Sequence, residues 1–185
     1  GGYGKTSLAL SCLYDLIDEY KDNDNPIFDT IMWVTLKTKS LQDGDFKYIR
    51  NSINSLDKAI TKSDEQLNLD SNLSNIDNIL HYMKKHKTLL VIDNLETVDI
   101  SENKKLFEEL PTGSKILITS RIGIGDYEQI FRLNELTDRD AEIYLKKLAN
   151  IYKVDSLLRK KQEIIIEYTK KLYKNPLAIK WFVIN

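Results

Sequence analysis

The chain has 185 residues, enough for one α/β domain of moderate size with at most a small helical addition. Its formal net charge of -1, with Lys outnumbering Arg, leaves no electrostatic case for nucleic acid or an anionic membrane surface. The single cysteine, Cys12, excludes an internal disulfide framework and makes a reducing cytoplasm the default location; no apolar run spans a bilayer, no signal peptide leads the chain, and no His, Cys and Asp residues have zinc-ligand spacing.

In chain order, Leu8, Leu10, Leu13, Leu16 and Ile17 predict a largely buried helix from Lys5 to Tyr20, with Cys12 as a small buried residue on it. The turn-rich stretch Asp22 to Pro26 ends it, and Thr30 to Leu36, rich in β-branched and aromatic residues, predicts a strand. Phe46, Ile49, Ile53, Leu56 and Ile60 alternate spacings of three and four, the pattern of an amphipathic helix. A polar loop over 61–74 follows, then a helix carrying Ile76, Ile79, Leu80 and Met83, with His81 and His86 among its lysines. Thr88 to Asp93 is a continuous apolar strand ending in a carboxylate, Ser101 to Leu110 a short helix, Lys115 to Thr119 a third strand, and Gln129 to Leu133 a weaker fourth. Short apolar strands separated by helices predict a doubly wound parallel sheet covered on both faces. Beyond Glu135 only helices are expected. Thr137-Asp138-Arg139-Asp140 resembles a capping box before Ala141, Tyr144, Leu145 and Leu148. A second helix carries Ile164, Ile165, Tyr168 and Leu172, and a third begins near Pro176. The expected division is residues 1–134 as a nucleotide-binding α/β domain and 135–185 as the start of a helical lid.

Gly4-Lys5-Thr6-Ser7 is the end of a P-loop. Its glycines, Gly2 and Gly4 among them, let backbone amides turn toward phosphate oxygens, Lys5 reaches the β/γ-phosphates, and the Thr6 hydroxyl ligates Mg²⁺. The first glycine of the full pattern would precede residue 1, and no strand or Met leads the chain, so the numbering is expected to begin inside the motif, with the first strand of the fold missing. On that expectation residues 1–185 alone would be insoluble or molten, and roughly 30 upstream residues would restore folding. The strand Leu89 to Asp93 is the matching Walker B element: a parallel strand delivers its last side chain to the ligand edge of the sheet, where Asp93 can hold the Mg²⁺ hydration shell. Either Asn94 or Glu96 would orient an attacking water, and Arg121, after the next strand, suits a γ-phosphate oxygen as a sensor.

The order of these motifs resembles the STAND ATPases, specifically the NB-ARC group of apoptotic regulators, plant resistance proteins and bacterial relatives. The resemblance is carried by GGYGKTSLA, FDTIMWVTLK, LLVIDNLE, GSKILITSR, FRLNELTDRDAEIYLKKLA and KNPLAIKWF, which run in order through almost the whole chain; the LLVIDNLE and TSR forms look more like bacterial members than plant ones. It implies that Lys5, Thr6 and Ser7 bind phosphates and Mg²⁺, that Arg121 senses the γ-phosphate, and that Pro176 packs near the adenine. One departure is Asn175, which replaces the glycine often found before the Leu-Pro pair, with no Leu separating it from Pro176.

The implied function is an ATP/ADP switch: ADP holds a closed monomer, ATP permits homo-oligomerisation, and slow hydrolysis resets it. The rivals are a cycling AAA+ motor, which Asn94 in place of a catalytic acid argues against, and a non-hydrolysing module that holds ADP as a structural ligand. No nucleic-acid or membrane partner is expected.

Overall fold

In the computed structural model the described residues are 2–22, 26–36, 39–42, 45–48, 74–95 and 104–185. They divide into two compact units, Leu8–Ile130, and Gly1–Ser7 with Phe131–Asn185.

The first unit is built on a parallel sheet of β1 (Thr30–Thr35), β4 (Thr88–Asp93) and β5 (Lys115–Thr119), in the order β1-β4-β5 among the described residues. The register sets Thr35 opposite Asp93 and Asp93 opposite Thr119. Because strand side chains alternate faces, the apolar runs are divided between two layers. Met32, Val34, Leu90 and Ile92 pack on Ile79, Leu80 and Met83 of α2 (Asn75–Lys85) and on Leu106 of α3 (Lys104–Glu108). Leu89 and Val91, with Ile31, Trp33 and Leu117 alongside, pack on Leu13 and Leu16 of α1 (Lys5–Asp22). β4 is buried along its whole length, as expected of a central strand with helices on both sides. This is the expected α/β sheet, and Ser74 starts α2 by accepting from the Asp77 amide at 3.2 Å.

Four sequence-based expectations need correction. The helix that starts α1 is not largely buried: Ala9 and Leu13 face the core, while Leu8, Leu10 and Ile17 are exposed. A helix laid on a sheet buries one stripe, and Cys12 falls off that stripe and is exposed. The helix expected from Phe46 does not start there, because Asp45–Tyr48 is a strand, β3, paired antiparallel with β2 (Lys39–Gln42); the rest of that segment lies outside the described residues. Asp43-Gly44 separates the two strands in sequence, a dipeptide strongly associated with hairpins. No strand forms over 129–133, where Ile130 and Phe131 are exposed and the backbone pairs with no strand among the described residues.

The second unit contains α4 (Asp138–Ile151), α5 (Asp155–Leu158), α6 (Gln162–Lys171) and α7 (Pro176–Ile184). Thr137 caps α4: its Oγ1 accepts from the Asp140 amide at 3.1 Å and donates to the Asp140 carboxylate at 2.7 Å. Ala141, Leu145, Leu148 and Ala149 of α4 meet Ile165 of α6 and Ile179 and Val183 of α7 in one core. The ends of α4 and α6 turn alike. The Val154 amide reaches the Ala149 carbonyl at 2.8 Å and the Lys174 amide reaches that of Thr169 at 2.8 Å, with Lys153 (φ 56) and Tyr173 (φ 53) left-handed between. These are Schellman closures with a non-glycine residue at the position glycine favours. The α5 turn was not foreseen; its Leu157 is buried in the same core.

Candidate functional site

The head of α1 is organised by two glycines. Gly2 (φ 84) and Gly4 (φ 88) both occupy backbone that other residues adopt only with strain. Around Gly4 a Cβ would meet nothing within 4 Å. At Gly2 it would lie 2.7 Å from Leu177 Cβ and 2.9 Å from Asn175 Oδ1. Lys5, Thr6 and Ser7 form the first turn of α1, with Lys5 half-buried and the two hydroxyl residues exposed. The leading amides of a helix point along its axis and carry a partial positive charge, so this turn favours phosphate.

The start of α7 closes on the same loop. Asn175 is its N-cap, and its Oδ1 accepts from the amides of Leu177 at 2.9 Å and Ala178 at 3.2 Å, with Pro176 in the first turn. The Leu177 amide also donates to the Gly2 carbonyl at 3.2 Å. Asn175 is therefore more than a replaced glycine: it has φ -81 and caps the helix. The left-handed positions fall just upstream, at Tyr173 and Lys174. Lys174 and Lys170 each lie 3.3 Å from Asp138, and the Lys174 ammonium foremost holds that carboxyl below the ordinary carboxylate range. The pairs are exposed, so their contribution to stability is small.

In the sheet unit, the C-terminal ends of β1, β4 and β5 form a polar row. Asp93 is only 4% exposed, and its two oxygens accept separately: Oδ1 from the Thr119 hydroxyl at 2.6 Å and Oδ2 from the Thr35 hydroxyl at 3.2 Å. The Asn94 amide donates to Thr119 Oγ1 and to the Thr119 carbonyl, both at 3.0 Å. That bond occupies the acceptor side of the Thr119 hydroxyl and directs its proton at Asp93. Asn94 itself is left-handed (φ 68), a conformation Asn tolerates better than most residues. Thr35 and Thr119 had not been singled out; the available signal was that each is the polar last residue of an apolar strand. Arg121 lies exposed in the bend just past β5, and Glu96 lies outside the described residues.

Each of the two units, taken by itself, suits one part of a metal-bound nucleotide. The positive-φ glycines before a helix suit a phosphate cradle, with the space around Gly4 open. A single buried, hydroxyl-held aspartate at a parallel sheet's ligand edge suits a magnesium ion that keeps most of its waters. Among the described residues no group of three or more His, Cys, Asp or Glu residues could hold a metal by itself, and no helix is long and apolar enough to cross a membrane.

Comparison with individually curated proteins finds no match. The family model of the NB-ARC domain matches residues 1–131, from the glycines of the α1 head through β4 and Arg121. With that match over most of its length, and a parallel sheet whose central strand ends in Asp93, the chain belongs to the NB-ARC domain family, the nucleotide-binding, P-loop modules of STAND type.

Proposed function

We propose that the chain is the ATP/ADP-binding switch module of a larger signalling, regulatory or defence protein, with slow hydrolysis resetting it. The observation that carries this reading is the pair of left-handed glycines opening α1, one packed on the start of α7 and one facing open space. In this reading the amides around Gly2 and Gly4 and the Lys5 ammonium bind phosphate oxygens, and Thr6 and Ser7 add hydroxyls at the phosphate–metal end. Mg²⁺ would neutralise phosphate charge, and Asp93 would hold its water shell, with Thr6 as a ligand. Asn94 or Glu96 would orient water, Arg121 would distinguish ATP from ADP, and Pro176 would pack against the base. Residues 135–185 would act as a lid, and the ATP-bound state of the whole protein would self-associate.

Asn94 bears on the choice among ATPase types. The position following Asp93 is left-handed and its amide is tied to Thr119. The residue there is an amide, which can orient water but is a far poorer base than a carboxylate, and this supports a slow switch over a motor with an acid at that position.

The test is calorimetric titration of Mg-ATP and Mg-ADP into the full-length protein that contains this chain and into its Lys5→Ala variant. A charge-assisted contact contributes about 1.5–3 kcal/mol, so the variant should bind about 10- to 150-fold more weakly. Absence of binding by the unsubstituted full-length protein, or equal affinity in the variant, overturns the reading.

A further inference from the structure

We infer that Thr35 and Thr119 are positioning residues for the metal end of the nucleotide site, acting through Asp93; this rests on the nucleotide-binding reading above. The two hydroxyls come from residues 58 and 26 positions away in sequence, on the strands that flank β4 on either side. Each addresses a different oxygen of the same carboxylate. A carboxylate held by one donor can still rotate about its terminal torsion; one held by a donor on each oxygen, from opposite sides, is fixed in plane and direction. The Thr119 hydroxyl is itself oriented by the Asn94 amide, so the chain Asn94 N–H to Thr119 O–H to Asp93 Oδ1 has one polarity, with each donor set by the one before it.

Burial alone does not account for this arrangement. A buried aspartate needs donors, and any donors would serve stability. What a two-sided clamp adds is a fixed direction for the oxygen lone pairs, which is what a hydrated divalent cation with strict octahedral demands requires of its outer partners. Thr35 sharpens the distinction. It is exposed at the strand end, so its hydroxyl could have been solvated at little cost, yet it donates to Asp93.

The experiment measures affinity for a fluorescent ADP analogue in excess Mg²⁺ and in EDTA, on the full-length protein that contains this chain and on its Thr119→Val, Thr35→Val and Thr119→Ser variants. Valine matches the shape of threonine and favours strands, so the sheet is kept, and the EDTA affinity reports a folded site that owes nothing to the metal. In the unsubstituted protein Mg²⁺ should strengthen binding. Loss of a group that orients a metal-site ligand typically costs about 10- to 100-fold in metal affinity, so the Mg²⁺ enhancement should fall by that order in Thr119→Val. It should fall less in Thr35→Val, whose bond is longer, and should recover in Thr119→Ser; EDTA affinities should stay within about twofold throughout. A full Mg²⁺ enhancement in both valine variants overturns the positioning role and leaves the nucleotide-binding reading intact, as does binding by the unsubstituted protein that ignores Mg²⁺. Equal losses with and without Mg²⁺ assign the threonines to structure alone and also overturn it. No binding by the unsubstituted protein under either condition removes the nucleotide-binding reading, and this inference with it.

Discussion

Gly2 and Gly4 stand two residues apart with nearly the same φ, and they should respond differently to alanine. Both substitutions place a Cβ on left-handed backbone, at about 1–2 kcal/mol, offset by about 0.4–1 kcal/mol because alanine has less freedom to lose on folding. For Gly4→Ala that is nearly the whole cost, since the new methyl meets nothing within 4 Å; a net loss of about 1 kcal/mol is expected. Gly2→Ala adds a methyl 2.7 Å from Leu177 Cβ and 2.9 Å from Asn175 Oδ1. Neither can swing aside, because a Cβ moves only with its backbone and Asn175 is engaged in capping α7. Overpacking of this kind costs about 1–3 kcal/mol more, for a total of about 2–4 kcal/mol. In a chain of this size each kcal/mol moves the melting temperature about 2–4 °C. Gly4→Ala should therefore melt a few degrees low, and Gly2→Ala about 4–16 °C low. Nucleotide affinity should show the reverse emphasis: the Gly4 methyl fills the space assigned to phosphate and should weaken binding about tenfold or more, the effect of some 1.4 kcal/mol. The assay is circular dichroism melting of each variant beside a fluorescent-ADP titration. Equal melting shifts would refute the packing of Gly2 on α7, and unchanged affinity in Gly4→Ala would refute the phosphate cradle.

Other substitutions test separate links. Tyr173→Gly relieves left-handed strain at an exposed Schellman position and should stabilise the chain by about 0.5–1 kcal/mol in urea unfolding; destabilisation would mean that the Tyr173 side chain contributes packing. Asn175→Ala removes the acceptor of two α7 amides and should cost about 0.5–2 kcal/mol, whereas Asn175→Asp should keep most of the cap; indistinguishable melts would deny the capping role. Arg121→Ala should weaken ATP binding about tenfold more than ADP binding, because only ATP offers the third phosphate, and equal losses would assign the guanidinium to structure.

What was legible in the sequence followed from signals that are local. Thr30 to Thr35, Thr88 to Asp93 and Lys115 to Thr119 each declare a strand within six residues, because every interior position is apolar, the mark of a sheet with cover on both faces; β4 is buried throughout, β1 and β5 in part. The Thr137 cap on the Asp140 amide is equally local. The hairpin of β2 and β3 was obscured by a competing local signal: the three-and-four spacing from Phe46 onward reads as a helix, and Asp43-Gly44 was the better guide at its start. The strand expected over 129–133 shows the opposite limit, since apolar residues make a strand only beside another. The clamp on Asp93 could not be read at all. Its members are far apart in sequence, and only the parallel register makes Thr35, Asp93 and Thr119 neighbours. Asn175 was legible as a departure from a motif, but its capping role needed the geometry of α7.

β5 has a consequence for handling the protein in solution. Among the described residues it pairs with β4 on one side and with no strand on the other, and Ile116, Leu117 and Ile118 are only partly covered. Such an edge presents a row of hydrogen-bonding groups beside a short β-branched apolar run, with Lys115 as the one charge in the strand. This is the arrangement through which identical chains template one another into fibrils. Loss of material on concentration should therefore be second order or higher in protein and give thioflavin-positive aggregates.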